Sequence, residues 1–327
     1  MSPGTRENPI RLADLSPEDV PAGLRTENLF DFGSHPFEHA ALFDGIKSVI
    51  DILGKTIGNY AQAWLDGTIN EARDSAGVVI ADDTCGNGQS SGSFRVITGT
   101  GTIYEPAFVR GVTGKDKPFS LYVAEGARIE GANIFLDEGD IYVGPGTIVE
   151  PGTAIKGPSI IGPDNELRFG AYLRGNVIIG RGGEDCAFRG EMKNVVMMDN
   201  VNFPHPSYLG DSICGYNTHF GNQATAANLG IFQGLRAPEK RKNIVMKIGG
   251  IFYDIGLVKM GVIMGDNTQI GCNSVLAPGT VLGRDCVAYA LTCFERGAYP
   301  PSTLFKNKPV TTPDGIELFD VLPMDDD

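Results

Sequence analysis

Histidine is scarce in this chain, with four in 327 residues, and there is a single tryptophan. No apolar run approaches the ~18 residues that a membrane-spanning helix needs. The opening MSPGTRENPIRLADLSPEDV has no apolar centre of the kind a secretory leader carries. The six cysteines, Cys85, Cys186, Cys214, Cys272, Cys286 and Cys293, form no Cys-x-x-Cys pair. Their scatter argues against a disulfide framework, so they are expected as small buried side chains in a reduced, cytoplasmic setting. A Gly-x-Ser-x-Gly elbow and a Walker phosphate loop are both absent. Positive charge is also short: 27 Lys and Arg face 40 Asp and Glu, a formal net charge of -13. Such a surface repels nucleic acid and anionic membrane, and an anionic ligand would need a local basic pocket.

Glycine, by contrast, is abundant: 44 residues, well above its usual share of about 7%. The excess follows a strict period. Val143, Val149, Ile155, Ile161, Leu167, Leu173 and Ile179 stand six residues apart, and so do Met264, Ile270, Leu276, Leu282, Ala288 and Phe294. Tyr208, Cys214, Phe220 and Ala226 keep the same step between them. Small residues such as Thr147, Thr153, Ser159, Ala171, Ser274 and Thr280 recur four positions later, as in VGPGTI and LAPGTV. A six-residue step suits neither an α-helix nor a meander. It predicts an all-β fold, a left-handed parallel β-helix of hexapeptide repeats. Each hexapeptide forms one side of a triangular coil, with the aliphatic residue inward and Gly or Pro at the corner.

Around this solenoid the chain divides into a helical and mixed N-terminal cap over 1–100, the β-helix over 101–308 and an acidic tail over 309–327. In the cap, Leu42, Ile46, Val49, Leu53, Ile57, Tyr60 and Trp64 form one helical stripe over 37–65, with Gly45, Gly54 and Gly58 as candidate breaks. Val78 to Ile80 and Phe94 to Ile97 read as short strands, with a Gly- and Ser-rich loop from Asp82 to Ser93. Two irregular stretches interrupt the repeat, 180–206 and 230–259. The second carries Arg236, Lys240, Arg241, Lys242 and Lys247, a basic cluster in an acidic chain that fits anion capture or a solvated loop. His35 and His39 sit beside the N-terminal helix and read as structural. His205, held between Pro204 and Pro206, is the better candidate for a proton acceptor near neutral pH.

The run GEMKNVVMMDNVNFPHPSYLGDSICGYNTHFGNQATAANLG carries a resemblance. Glu191-Met192-Lys193, then His205-Pro206-Ser207-Tyr208-Leu209-Gly210-Asp211, then Asn228, follow in the order found in the acetyltransferase domain of the bifunctional enzyme that makes UDP-N-acetylglucosamine. The likeness covers roughly residues 120 to 300. It implies acyl transfer from acetyl-CoA to an amino-sugar phosphate such as glucosamine-1-phosphate, or to a nucleotide amino-sugar. No metal is required, and the implied assembly is a homotrimer with sites between prisms. His205 would be the general base. Arg174 and Lys193 would hold the phosphate, with Tyr208 on the same phosphate or the sugar, and His219 and Asn228 on the sugar. Asn222, Cys272 and Ala290 would line the CoA track, and one of Lys240, Lys242 or Lys247 would complete the pocket. The Gly-rich start motif of the nucleotidyltransferase half is absent from residues 1–100. Asn222 and Gln223 are bulkier than usual for the track, His219 stands for an Asn, and Leu229 for a Tyr. These departures support an alternative, a non-catalytic sugar-phosphate or sugar-nucleotide binding or regulatory protein. A γ-type carbonic anhydrase shares the fold, but its zinc needs three histidines, and only His205 and His219 lie in the repeat.

Overall fold

The computed structural model describes residues 4–75, 79–82, 90–112, 118–184 and 186–306, with no side-chain description for 80–82. Cys85, Val78, most of the expected loop after Asp82 and the acidic tail lie outside the described residues. The chain winds into a left-handed parallel β-helix of about 12 turns. Each coil has three sides. Ile141–Val143 lies on the first face and pairs in parallel with Ser159–Ile161, which pairs with Val177–Ile179. Ile148–Val149 and Glu166–Leu167 pair on the second face, and Ala154–Lys156 and Tyr172–Arg174 on the third.

The hexapeptide residues meet inside. Val143, Val149, Ile155, Ile161, Leu167 and Leu173 are fully buried, and Met264, Leu276 and Leu282 continue the column. The small residue four positions on turns the corner. The Thr147 hydroxyl donates to the Gly162 carbonyl of the next coil at 2.7 Å, and Thr147, Thr153, Ser274 and Thr280 are buried. Asp164, Asn217, Asn267, Asn273 and Asp285 take left-handed backbone at corners, a conformation that short Asx side chains tolerate better than others.

The repeat continues through much of the stretch expected to be irregular. Ala187–Phe188 and the seven-residue strand Glu191–Met197 both belong to coils. What changes is one corner. Leu173 pairs with Met192 and Val177 with Val195, so four residues in one coil match three in the next. Asn194 (φ 55°) and Asp211 (φ 50°) make this tighter turn. One consequence concerns Tyr208, read from the six-residue step as a core position. The inward residue is Leu209, fully buried, and Tyr208 faces outward. Side chains alternate along a strand, so the loss of one corner residue moves the inward position by one.

The N-terminal segment lies along the prism and not over its end. Its expected single stripe is broken by Gly45 (φ 69°) and Gly54 (φ 84°) into 3-10 turns at Ala40–Phe43 and Val49–Ile52, and the helix proper is Thr56–Arg73. Ile57, Ala61, Leu65, Ile69 and Ala72 form its buried stripe. They pack on outward side chains of the first face, among them Ile160, Ile178 and Val196, and neighbouring N-terminal residues cover Ile213, Ile263 and Val281. A sheet that is apolar on both sides needs a second layer. Gly58 permits the approach, since a Cβ there would overlap the Asn176 amide.

The β-helix sheet already includes Arg95–Thr98, which pairs with Ser120–Val123, so coiling starts before residue 101. Within 230–259, Val245–Ile248 and Ile251–Asp254 form an antiparallel hairpin, and Ile10–Arg11 adds a third strand to it. No disulfide joins the described cysteines. Cys186, Cys214 and Cys286 are buried as expected, whereas Cys272 and Cys293 are exposed because they fall at a corner and on the outer side of a strand. Among the described residues no helix is long and apolar enough to cross a membrane.

Candidate functional site

The third face places the residues of interest along its two edges. At the edge shared with the first face, one side chain per coil points outward: Phe135 beside Lys156, then Arg174, then Lys193, which follows Met192, the partner of Leu173. Lys156, Arg174 and Lys193 line a cleft of about 370 Å³ together with Glu138 and Asn176. Arg174 donates to Glu191 at 2.6 Å, and this bond holds its guanidinium above the usual range. The pair is part-exposed, so its worth lies in orientation more than in stability.

Next along the face, Tyr208 pairs with Glu191 across the coils. Burial, and then the Asp211 carboxylate, push its phenol up, while a hydrogen bond with the Asn228 side chain opposes them. Asp211 accepts from Asn194 at 2.8 Å and from Asn228 at 2.6 Å, which orients the Asn228 amide. Gly210 makes room for this cluster, because a Cβ there would overlap both the Tyr208 hydroxyl and Asn228. Arg174, Lys193, Tyr208 and Asn228 therefore share one face. The insertion leaves the coil at the same edge: Met260 donates its N–H to the Asn228 carbonyl and Gly261 to that of Asp211. Of the three lysines considered, Lys247 lies over the Phe252 ring at 5.6 Å, while Lys240 and Lys242 are exposed.

The opposite edge carries His205. It is exposed at the turn from the second face to the third, three residues before Tyr208. Its loop is tied to the next coil by Ser207, which donates to the Ala224 carbonyl at 2.5 Å, and by Thr225, which donates to the Tyr208 carbonyl at 3.1 Å. Asn222, Cys272 and Ala290 follow on the same edge. Asn273 donates its N–H to the Asn222 carbonyl, Leu291 to that of Cys272, and a Cβ on Gly271 would meet the Ala290 nitrogen. All three are exposed, and beside them Val275, Tyr289 and Leu291 present apolar surface. An open, partly apolar track of this kind fits the extended arm of an acyl thioester.

His219 falls elsewhere within the chain. It lies on the second face, bridged to Asn202, in a separate cleft of about 500 Å³ with Glu184 and Gln269. Burial lowers its imidazole, and the charge of nearby His205 lowers it further. The structure thus sets His219 near His205 but not with Arg174, Lys193, Tyr208 and Asn228. Among the described residues no group of three metal-ligating side chains gathers. Sequence reading missed Lys156 and Phe135, and it quoted Asp211 and Glu191 within the motifs without giving them a role. The signal was present for Lys156, which stands eighteen residues, one full coil, before Arg174.

Fold and edge columns define a left-handed hexapeptide-repeat β-helix with a cationic edge facing an imidazole edge. Over about 40–58% of its length the chain resembles the acetyltransferase part of proteins named GlmU. It is 30% identical over 145 residues to the bifunctional protein GlmU of Methanocaldococcus jannaschii, which covers 44% of this chain and 32% of that protein. It is 31% identical over 153 residues to a bifunctional sugar-1-phosphate nucleotidylyltransferase/acetyltransferase of Sulfurisphaera tokodaii, covering 41% and 36%. With the GlmU protein of Acaryochloris marina it shares 28% identity over 204 residues, covering 56% and 38%. The chain spans about a third of the length of these relatives. No family model matches it.

Proposed function

We propose that the protein transfers an acyl group from acetyl-CoA to the amine of an amino-sugar phosphate. The observation that carries this reading is the third face itself, with Arg174 and Lys193 on one edge and His205 on the other. The phosphate sits against the cations, whose planar and point-charge donors suit its oxygens. Tyr208 and Asn228 hold the sugar between them. The amine then points across the face toward His205. Its nitrogen attacks the thioester carbonyl, the His205 imidazole takes the N–H proton, and as the C–S bond breaks the imidazolium gives that proton to the departing thiolate, which leaves as the thiol. Asn222, Cys272 and Ala290 position the thioester arm along the same edge. The third face is open in a single chain, and a neighbouring prism in a homotrimer supplies the wall that excludes water from it.

The test is thiol release from acetyl-CoA with a panel of amino-sugar phosphates. The wild type releases thiol in an acceptor-dependent way, and His205→Ala slows it on the order of 10²–10⁴-fold. Equal, acceptor-independent release by both proteins refutes the proposal. Saturable sugar-phosphate binding with no thiol release would instead favour a binding protein.

A further inference from the structure

We propose that the segment Asp314–Leu322 of this chain docks on the outer surface of the insertion, over Ile231, Phe232 and Leu235. The inference does not rest on the transfer reading.

The insertion divides into a packed base and a bare tip. At the base, Ile244 and Met246 are buried in the apolar layer between the N-terminal segment and the first face. At the tip, Ile231, Phe232 and Leu235 are 77%, 59% and 71% exposed. The tip is nevertheless braced. Gly234 closes the Ile231–Gly234 turn by donating its N–H to the Gly230 carbonyl at 3.0 Å. Gln233 is held twice: its carbonyl accepts from Arg241 Nε at 3.1 Å, and its side-chain oxygen accepts from the Lys242 N–H at 2.8 Å. A braced turn that aims three large apolar side chains outward presents a surface to be covered.

The rim of this patch is cationic. Residues 230–242 hold Arg236, Lys240, Arg241 and Lys242 against one carboxylate, Glu239, in a chain of net charge -13. Among the described residues Lys240, Arg241 and Lys242 make no ion pair. At the root of the insertion, Arg296 Nη2 lies 3.8 Å from where a Gly230 Cβ would stand. Partial burial, and then the charge of nearby Arg6, hold the Arg296 guanidinium below its usual range. Among the described residues neither Arg6 nor Arg296 makes an ion pair. An apolar centre with a charged rim is the ordinary anatomy of a contact surface. The occupant that fits is apolar and acidic together.

The chain carries such a stretch outside the described residues. Asp314–Leu322 reads DGIELFDVL, with five large apolar residues, three carboxylates and no cation, and Asp325, Asp326 and Asp327 follow. It is also within reach. His219–Phe220, Gln269–Ile270, Val287–Ala288 and Leu304–Phe305 stack on the second face, so Phe305 lies three coils beyond the one from which the insertion leaves. With strands ~4.8 Å apart and one face-width to cross, the gap is roughly 25 Å. Residues 307–315 can span up to about 30 Å, enough to bring Ile316 to the patch of its own chain. Covered in this way, the insertion becomes a fixed wall at the edge where Met260 returns to Asn228.

Two measurements on the full chain test this. With benzoylphenylalanine in place of Phe319, irradiation joins position 319 to residues 230–242, at a yield that survives about tenfold dilution. Trypsin reads the same contact, because it cuts after Arg236, Lys240, Arg241 and Lys242. The paired substitutions Phe319→Ser and Leu322→Ser speed that cleavage about fivefold or more, as an uncovered segment opens to the protease. Unchanged far-ultraviolet dichroism shows that the coil persists in the variant. Crosslinks that map elsewhere, or equal cleavage of wild type and variant, overturn the proposal. Crosslinks that fade on dilution place the segment on a second copy and overturn docking within one chain. Phosphatidylserine vesicles that bind the full chain through Phe232 equally well with and without the paired substitutions reveal a bare patch that faces a membrane, and overturn it too.

Discussion

His39 shows how far a residue's surroundings can move its chemistry. It is 1% exposed, packed edge-on to Trp64 and Phe37, with Tyr60 Oη 3.3 Å from Nδ1. Burial drives its pKa from 6.5 to about 4. The folded state therefore binds fewer protons than the unfolded chain across that interval. The contribution is full above pH 6.5 and is lost as pH falls toward 4, a change of up to roughly 3 kcal/mol. Urea midpoints measured at steps between pH 7 and 4 should fall in the wild type, and His39→Leu should flatten that part of the slope. The ring was readable from sequence as structural. Its neighbours were not, because Tyr60 and Trp64 reach it only once the N-terminal segment breaks at Gly45 and Gly54.

At the scale of the element, the hexapeptide separates inside from outside with a contrast that stability measurements can read. Leu167 is fully buried, whereas Ile148, on the same face one coil earlier, is 39% exposed. Leu167→Ala should cost about 2–5 kcal/mol, the range for a buried leucine truncation. Ile148→Ala should stay near ~0.5 kcal/mol. Urea unfolding of the two variants checks this, and similar losses would contradict a core ordered by the six-residue step. The shortened corner at Asn194 and Asp211 escaped the period because three residues there do the work of four. It decides the placement of Tyr208, and with it which side of the strand faces the ligand.

For the whole molecule, residues 10–73 form a wall on the first face. Removing residues 1–75 would expose Ile160, Ile178, Val196, Ile213, Ile263 and Val281 as one apolar surface, and such a surface drives association. The truncated chain should bind a hydrophobic dye and sediment as larger species as its concentration rises. A monodisperse, dye-silent truncation would mean that the wall is dispensable.

Taken alone, the six-step aliphatic column dictated the coil, since only a three-sided winding brings such residues to one interior, and the motif order singled out Lys193, His205, Tyr208 and Asn228. The sharing of tasks between edges was decided in three dimensions. The step from Lys156 to Arg174 keeps the eighteen-residue coil and was legible, but the nineteen-residue step that brings Lys193 after them, and the separation of His219 from this ladder, depend on a register that the six-residue period does not encode.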